Sequence, residues 1–116
     1  MRIPALVLVL SLPAALAPAG PAARIGDPTS HGGAVAAGSP TVFIDGLPAA
    51  RLGDFATCPV VNAGNPPVPH VGGPIAAGSA TVFIGGLPAA RLGDPIVEAA
   101  SSSVIAGGSA TVLIGP

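Results

Sequence analysis

The chain has very little of what ordinarily builds a stable small core or a charged surface. Among its 116 residues there is one cysteine, no tryptophan and no tyrosine, and the aromatics are Phe43, Phe55 and Phe83. One cysteine excludes an internal disulfide. Four basic residues and a net charge of −1 offer no surface for phosphates, which excludes nucleic acid as a partner. Seventeen glycines and fifteen prolines argue against long helices. Half of the composition is hydrophobic, but much of that is alanine, which buries little area. Low charge with recurring β-branched clusters is a poor match to a solvated coil, so the chain is read as folded. A domain this small with so thin a core needs a staple, and a metal or a partner is what remains.

What the sequence does have is repetition. PAARIGD at 21–27 returns as PAARLGD at 48–54 and again at 88–94. Pro21 to Pro48 is 27 residues and Pro48 to Pro88 is 40, which argues against a solenoid of constant period. The units run 21–47, 48–87 and 88–116, each opening on P-A-A-R-[IL]-G-D and passing through a variable loop. They close on GSPTVFIDG (38–46), GSATVFIGG (78–86) and GSATVLIG (108–115). Thr-Val-Phe-Ile bounded by glycine predicts a short strand. Asp45-Gly46 and Gly85-Gly86 predict hairpin turns, with Leu-Pro-Ala-Ala-Arg-Leu returning as the second strand. Three hairpins cannot each bury a face alone. The expected fold is all-β, with three β-hairpin repeats around a pseudo-threefold axis.

Residues 1–20 differ from the rest. Arg2 precedes an apolar run from Ile3 to Leu12, and Ala15-Leu16-Ala17 has the small-x-small form of a cleavage site. The run is short for a bilayer span, and Pro18 stiffens the bond that would be cut. A secretory signal over 1–17, an unstructured lead-in and a start assigned upstream of the true one all fit.

The charges concentrate in the repeats as Arg24, Arg51, Arg91, Asp27, Asp54 and Asp94, and are expected to stabilise turns or pair between neighbouring repeats. Four residues beyond each aspartate stand His31, Cys58 and Glu98, three metal-ligand types at one equivalent position. Threefold packing would gather these positions near the axis. The longest loop adds His70 in PVPHVGG, which echoes the HGG of the first unit. Two imidazoles, a thiolate and a carboxylate are ligand types that Zn²⁺ accepts tetrahedrally; Fe²⁺ also accepts them, whereas Mg²⁺ and Ca²⁺ are disfavoured.

The three PAAR strings, the GD after each and the GSxTV[FL]I closers resemble a PAAR-repeat protein over essentially residues 21 to 116. That resemblance implies a sharp cone that caps the blunt end of a trimeric VgrG-type spike in a contractile, type VI secretion machine. It also implies a metal, usually zinc, held near the apex, with His31, Cys58 and His70 at positions resembling the family's ligands. The third repeat departs from the pattern, since Glu98 stands where the family commonly supplies a cysteine. Glu98 completing the sphere, water completing it, and weak metal binding are the alternatives, with Glu98 ranked first.

The reading of the chain is then a non-enzymatic spike tip that sharpens the trimer for piercing a target-cell membrane and links effector proteins to it. On this reading it is loaded in the cytoplasm and secreted on the spike. The chain ends on the third closer, at Pro116, so an effector is expected to be carried by contact. Two alternatives compete. One is a small secreted or envelope metal-binding β-protein. The other is a zinc hydrolase using the ion and a Cys58–His70 pair, for which the chain offers neither a second acid nor a substrate pocket.

Overall fold

A computed structural model describes residues 19–99 and 101–116. The alternatives for the N-terminal segment therefore fall outside the described residues up to Pro18. Among those described there is no helix, and the elements are short antiparallel pairs. Strand β2 (Phe43–Ile44) pairs with β3 (Leu47–Pro48), and β6 (Phe83–Ile84) with β7 (Leu87–Pro88), as the two hairpin turns require. The third closer finds its partner at the other end of the repeat array. Strand β1 (Gly20–Pro21) takes that place against β10 (Leu113–Ile114), so the start of the first repeat completes the last one and the ring closes.

The alanines explain why the repeat is spelled P-A-A. Ala23 N–H donates to Ala90 O at 3.0 Å, Ala90 N–H to Ala50 O at 3.0 Å, and Ala50 N–H to Ala23 O at 2.9 Å. Three backbones thus form a closed triangle of hydrogen bonds about the pseudo-threefold axis. Both alanines of each copy, from Ala22 to Ala90, have no solvent exposure. A larger side chain there would force three backbones apart, because close-packed interiors do not absorb added volume.

On one side of this triangle lie Ile44, Ile84 and Ile114; on the other, Val35, Ile75 and Ile105 with Ala56 and Ile96. The closers show strand alternation. Ile44 and Ile84 are buried while their neighbours Phe43 and Phe83 are each 56% exposed, because successive side chains point to opposite faces. Bulk is thus supplied by one β-branched residue per repeat in each layer, with Ile96 added by the third repeat.

The variable loops are more regular than expected. In the second unit β4 (Phe55–Asn62) pairs with β5 (Val68–Pro74), and in the third β8 (Pro95–Val97) pairs with β9 (Ser102–Val104). Proline cannot donate to a ladder, so each of these hairpins has to accommodate it. The second hairpin accommodates Pro59 in a shift of register between Cys58 and Val61. In β8, Pro95 is the first residue, where a missing N–H is tolerated.

Candidate metal centre

Each R-x-G-D turn is closed by its own aspartate. Asp27 accepts the Arg24 backbone N–H at 2.7 Å, Arg24 Nε at 3.2 Å and Arg24 Nη2 at 2.9 Å. Arg51 with Asp54, and Arg91 with Asp94, repeat the arrangement. The aspartates are buried, and each turn they fix is followed by the segment that carries one candidate donor at the same offset. Residues four beyond the aspartate therefore arrive at one level.

Neighbouring segments meet there backbone to backbone. A Cβ added to Gly33 would stand 1.8 Å from the Thr57 carbonyl oxygen, and one added to Gly73 would stand 1.8 Å from that of Val97. Only glycine permits this approach, which accounts for Gly33 and Gly73, while Gly32 and Gly72 before them hold positive φ angles of 81° and 112°. His31 sits in the tight turn spanned by the Pro28–Ala34 bridge, Cys58 in β4 at the register shift, His70 in β5, and Glu98 directly after β8.

The four side chains converge. Their donor atoms all lie within 4.8 Å of one another. His31 Nδ1 is 3.3 Å from His70 Nδ1, and Cys58 Sγ is 3.6 Å from each of them. Glu98 Oε1 is 2.9 Å from His31 Nδ1 and 3.2 Å from His70 Nδ1. Bonds of ordinary length to a tetrahedral zinc ion imply edges of about 3.3 Å between two nitrogens and about 3.6 Å between sulfur and nitrogen. The two imidazole nitrogens and the Cys58 sulfur stand at the spacings of such an ion's edges, whereas Glu98 Oε1, 2.9 Å from His31 Nδ1, would move out by a few tenths of an ångström to reach a nitrogen–oxygen edge of about 3.3 Å. Cys58, His70 and Glu98 are buried and His31 is partly exposed, so the cluster could hold a metal largely screened from water.

The electrostatics favour a cation at the same point. Burial, reinforced by the Glu98 charge, pushes the Cys58 thiol up, against a bond to the Val60 backbone. A thiolate in this position therefore calls for a positive partner. Burial would also raise Glu98, but hydrogen bonds from Ser103, Cys58 and His31 outweigh it and leave the carboxyl below its ordinary value.

Two further residues hold the donors in place. Asn62 Oδ1 is 2.9 Å from His70 Nε2, so it accepts a hydrogen bond from Nε2–H and leaves Nδ1 with the free lone pair. Ser103 Oγ donates to Glu98 Oε2 at 2.7 Å, turning Oε1 toward the cluster. Neither was evident from the sequence. Both act across a hairpin, and the signal that could have found them is a polar residue facing a ligand once β4–β5 and β8–β9 are recognised as paired strands.

Fold and site together define a small all-β protein of three hairpin repeats with a metal-type donor cluster at one end. The PAAR motif family model matches residues 25–68 and 64–116, and the chain belongs to that family. The family is one of structural spike-tip components associated with type VI secretion, so a non-enzymatic, spike-related role accompanies membership. Comparison with curated proteins finds no match.

Proposed function

We propose that this protein caps a trimeric VgrG-type spike and forms its piercing tip. The observation that carries the reading is an exposed apolar surface repeated about the pseudo-threefold axis. Phe43 and Phe83 are each 56% exposed and Leu113 is 60% exposed, at equivalent positions of the three closers. Val42, Val82, Leu47 and Leu87 extend the same surface. Apolar side chains displayed this way favour burial against a partner, and threefold repetition within one chain lets a monomer meet each chain of a trimer equally.

The same reading takes the ion to be zinc, held by His31, Cys58, His70 and Glu98 in a structural role. Zinc would tie the three repeats together at the end remote from the docking surface, where side chains are too small to form a core. The described residues enclose no pocket, and all four donors turn inward on each other, which favours a closed structural site over an open catalytic one. The protein is taken to load in the cytoplasm and to leave the cell on the spike, carrying effectors by contact and meeting a target membrane only in passing.

Co-migration with a trimeric VgrG-type protein in size-exclusion chromatography tests the proposal. Wild type should bind one copy per trimer, and the triple variant Phe43→Asp, Phe83→Asp, Leu113→Asp should not, with its zinc content unchanged. Undiminished binding of that variant would rule out this surface as the docking face.

A further inference from the structure

The pseudo-threefold axis repeats a second group of polar side chains, between the closer of one unit and the hairpin turn of the next. In one copy the turn residue is Asp45. Its carboxylate receives Ser109 Oγ at 2.6 Å, Thr111 Oγ1 at 3.0 Å and Arg24 Nη1 at 2.8 Å. In another copy the turn position is Gly115. There Arg91 Nη1 donates to the Gly115 carbonyl at 2.9 Å, while Ser79 Oγ and Thr81 Oγ1 donate to the Pro116 carbonyl at 2.9 and 3.0 Å. Both copies present three donors, and in both the donors meet oxygen.

The third copy comprises Ser39, Thr41 and Arg51, with Gly85 at the turn. Ser39 is 1% exposed, and its Oγ accepts the backbone N–H groups of Thr41 and Val42, leaving the hydroxyl proton to be donated. Among the described residues its one hydroxyl neighbour is Thr41 Oγ1 at 3.4 Å. Arg51 uses Nε and Nη2 on Asp54 and the Gly38 carbonyl, and among the described residues Nη1 has no acceptor. Gly85 has φ +61°, against 54° for Asp45, so the two turns follow the same path. A Cβ at Gly85 would meet one atom within 4 Å, Arg51 Nη1 itself, at 3.6 Å. The donors of the Asp45 copy are thus reproduced around a residue that carries no carboxylate.

We propose that Ser39, Thr41 and Arg51 form a carboxylate-binding site. Its ligand is an acetate-sized group, either a small organic acid or the end of an acidic side chain on another protein. An aspartate side chain beyond Cα is a methylene and a carboxylate, which is acetate with one C–H replaced by the bond to the chain. Glycine at position 85 therefore leaves room for the very group that the Asp45 copy carries covalently. Two hydroxyls and a guanidinium give charge-assisted bonds to both carboxylate oxygens, the stronger class of hydrogen bond.

Titration of the zinc-loaded protein with sodium acetate, followed by amide and guanidinium NMR against sodium chloride at equal ionic strength, tests the site. Saturable shifts are expected at Ser39, Thr41 and Arg51 and not at Ser109, Thr111 and Arg24. A flat titration, or equal shifts in both groups, would overturn the proposal. Gly85→Asp should abolish the acetate response and melt above Gly85→Asn, which shares its shape and backbone tolerance without the charge. A Gly85→Asp protein no more stable than Gly85→Asn would equally overturn it. Titration with N-acetyl-aspartate N-methylamide separates the two sources. Tighter binding than acetate assigns the site to a protein side chain, and weaker binding assigns it to a free acid.

Discussion

His31 Nδ1 and Glu98 Oε1 lie 2.9 Å apart although 67 residues separate them in the chain. Nothing local brings them together; the threefold packing does, by delivering the fourth residue after each repeat aspartate to one level. Glu98 is thereby placed to contribute the fourth donor. Glu98→Ala should lower zinc retained after dialysis well below one ion per chain, as read by elemental mass spectrometry. One zinc retained in both proteins would leave three protein donors and water in the fourth place. Glu98→Cys should bind more tightly than wild type, since a thiolate is a strong zinc donor.

Metal removal should be felt by the whole fold. Structural zinc contributes on the order of 10 kcal/mol in small domains, whereas a change of about 1 kcal/mol moves Tm by roughly 4–8 °C in a domain of this size. Chelation should therefore lower Tm by more than any single core substitution does. Cys58→Ser should reproduce much of that loss, because a hydroxyl is a far poorer ligand than a thiolate. An unchanged Tm on chelation would overturn the structural role of the ion.

Asn62 is a positioning residue, acting through His70. Asn62→Leu removes the acceptor on Nε2, and zinc affinity measured by chelator competition should fall about 10- to 100-fold. Tm of the metal-free protein should stay nearly unchanged, and the His70 ring resonances should show the tautomer no longer fixed. Loss of metal-free stability with affinity preserved would make Asn62 a packing residue only.

The parts of this design that were legible in the sequence are those the repeat states three times. The D+4 register of His31, Cys58 and Glu98 is one example, and the strand-turn-strand of the first two closers is another. His70 stands outside that register. It was legible from PVPHVGG, which echoes the HGG of the first unit, and not from strand pairing, because the pairing of β4 with β5 that carries it is interrupted at Pro59. Asn62 and Ser103 were invisible for the same reason, since each contacts its partner across a ladder whose prolines argue against strands. Closure of the ring was also hidden. Gly20 and Pro21 look like the start of a repeat, yet they pair with Leu113 and Ile114.

The inner isoleucines carry what hydrophobic core there is. Ile75 is 1% exposed beside Val35 and Ile105, between the alanine triangle and the metal cluster. Ile75→Ala should cost about 2–5 kcal/mol by denaturant unfolding of the zinc-loaded protein. Ile75→Val should cost about 0.5–1.5 kcal/mol. A cost below that range for the alanine variant would mean that the ion, and not packing, holds this layer.

Asp45 links the first hairpin turn to the third closer, and its contribution should depend on pH. Hydrogen bonds from Ser109 and then Thr111, aided by Arg24, outweigh desolvation and hold its carboxyl below the usual range. A carboxyl depressed on folding stabilises the native state fully above its unfolded pKa, and the effect is lost as pH falls through the lower folded value. Wild type should therefore melt above Asp45→Asn near neutrality. The gap should begin to narrow as pH falls through the ordinary carboxylate range, where the unfolded chain takes up its proton, and should be gone once the folded carboxylate is protonated as well. Both proteins keep the same metal cluster, so acid release of zinc shifts them together and leaves their difference to report on Asp45. A gap of constant size down to the acid limit would assign the effect of the substitution to packing of the turn and not to the charge.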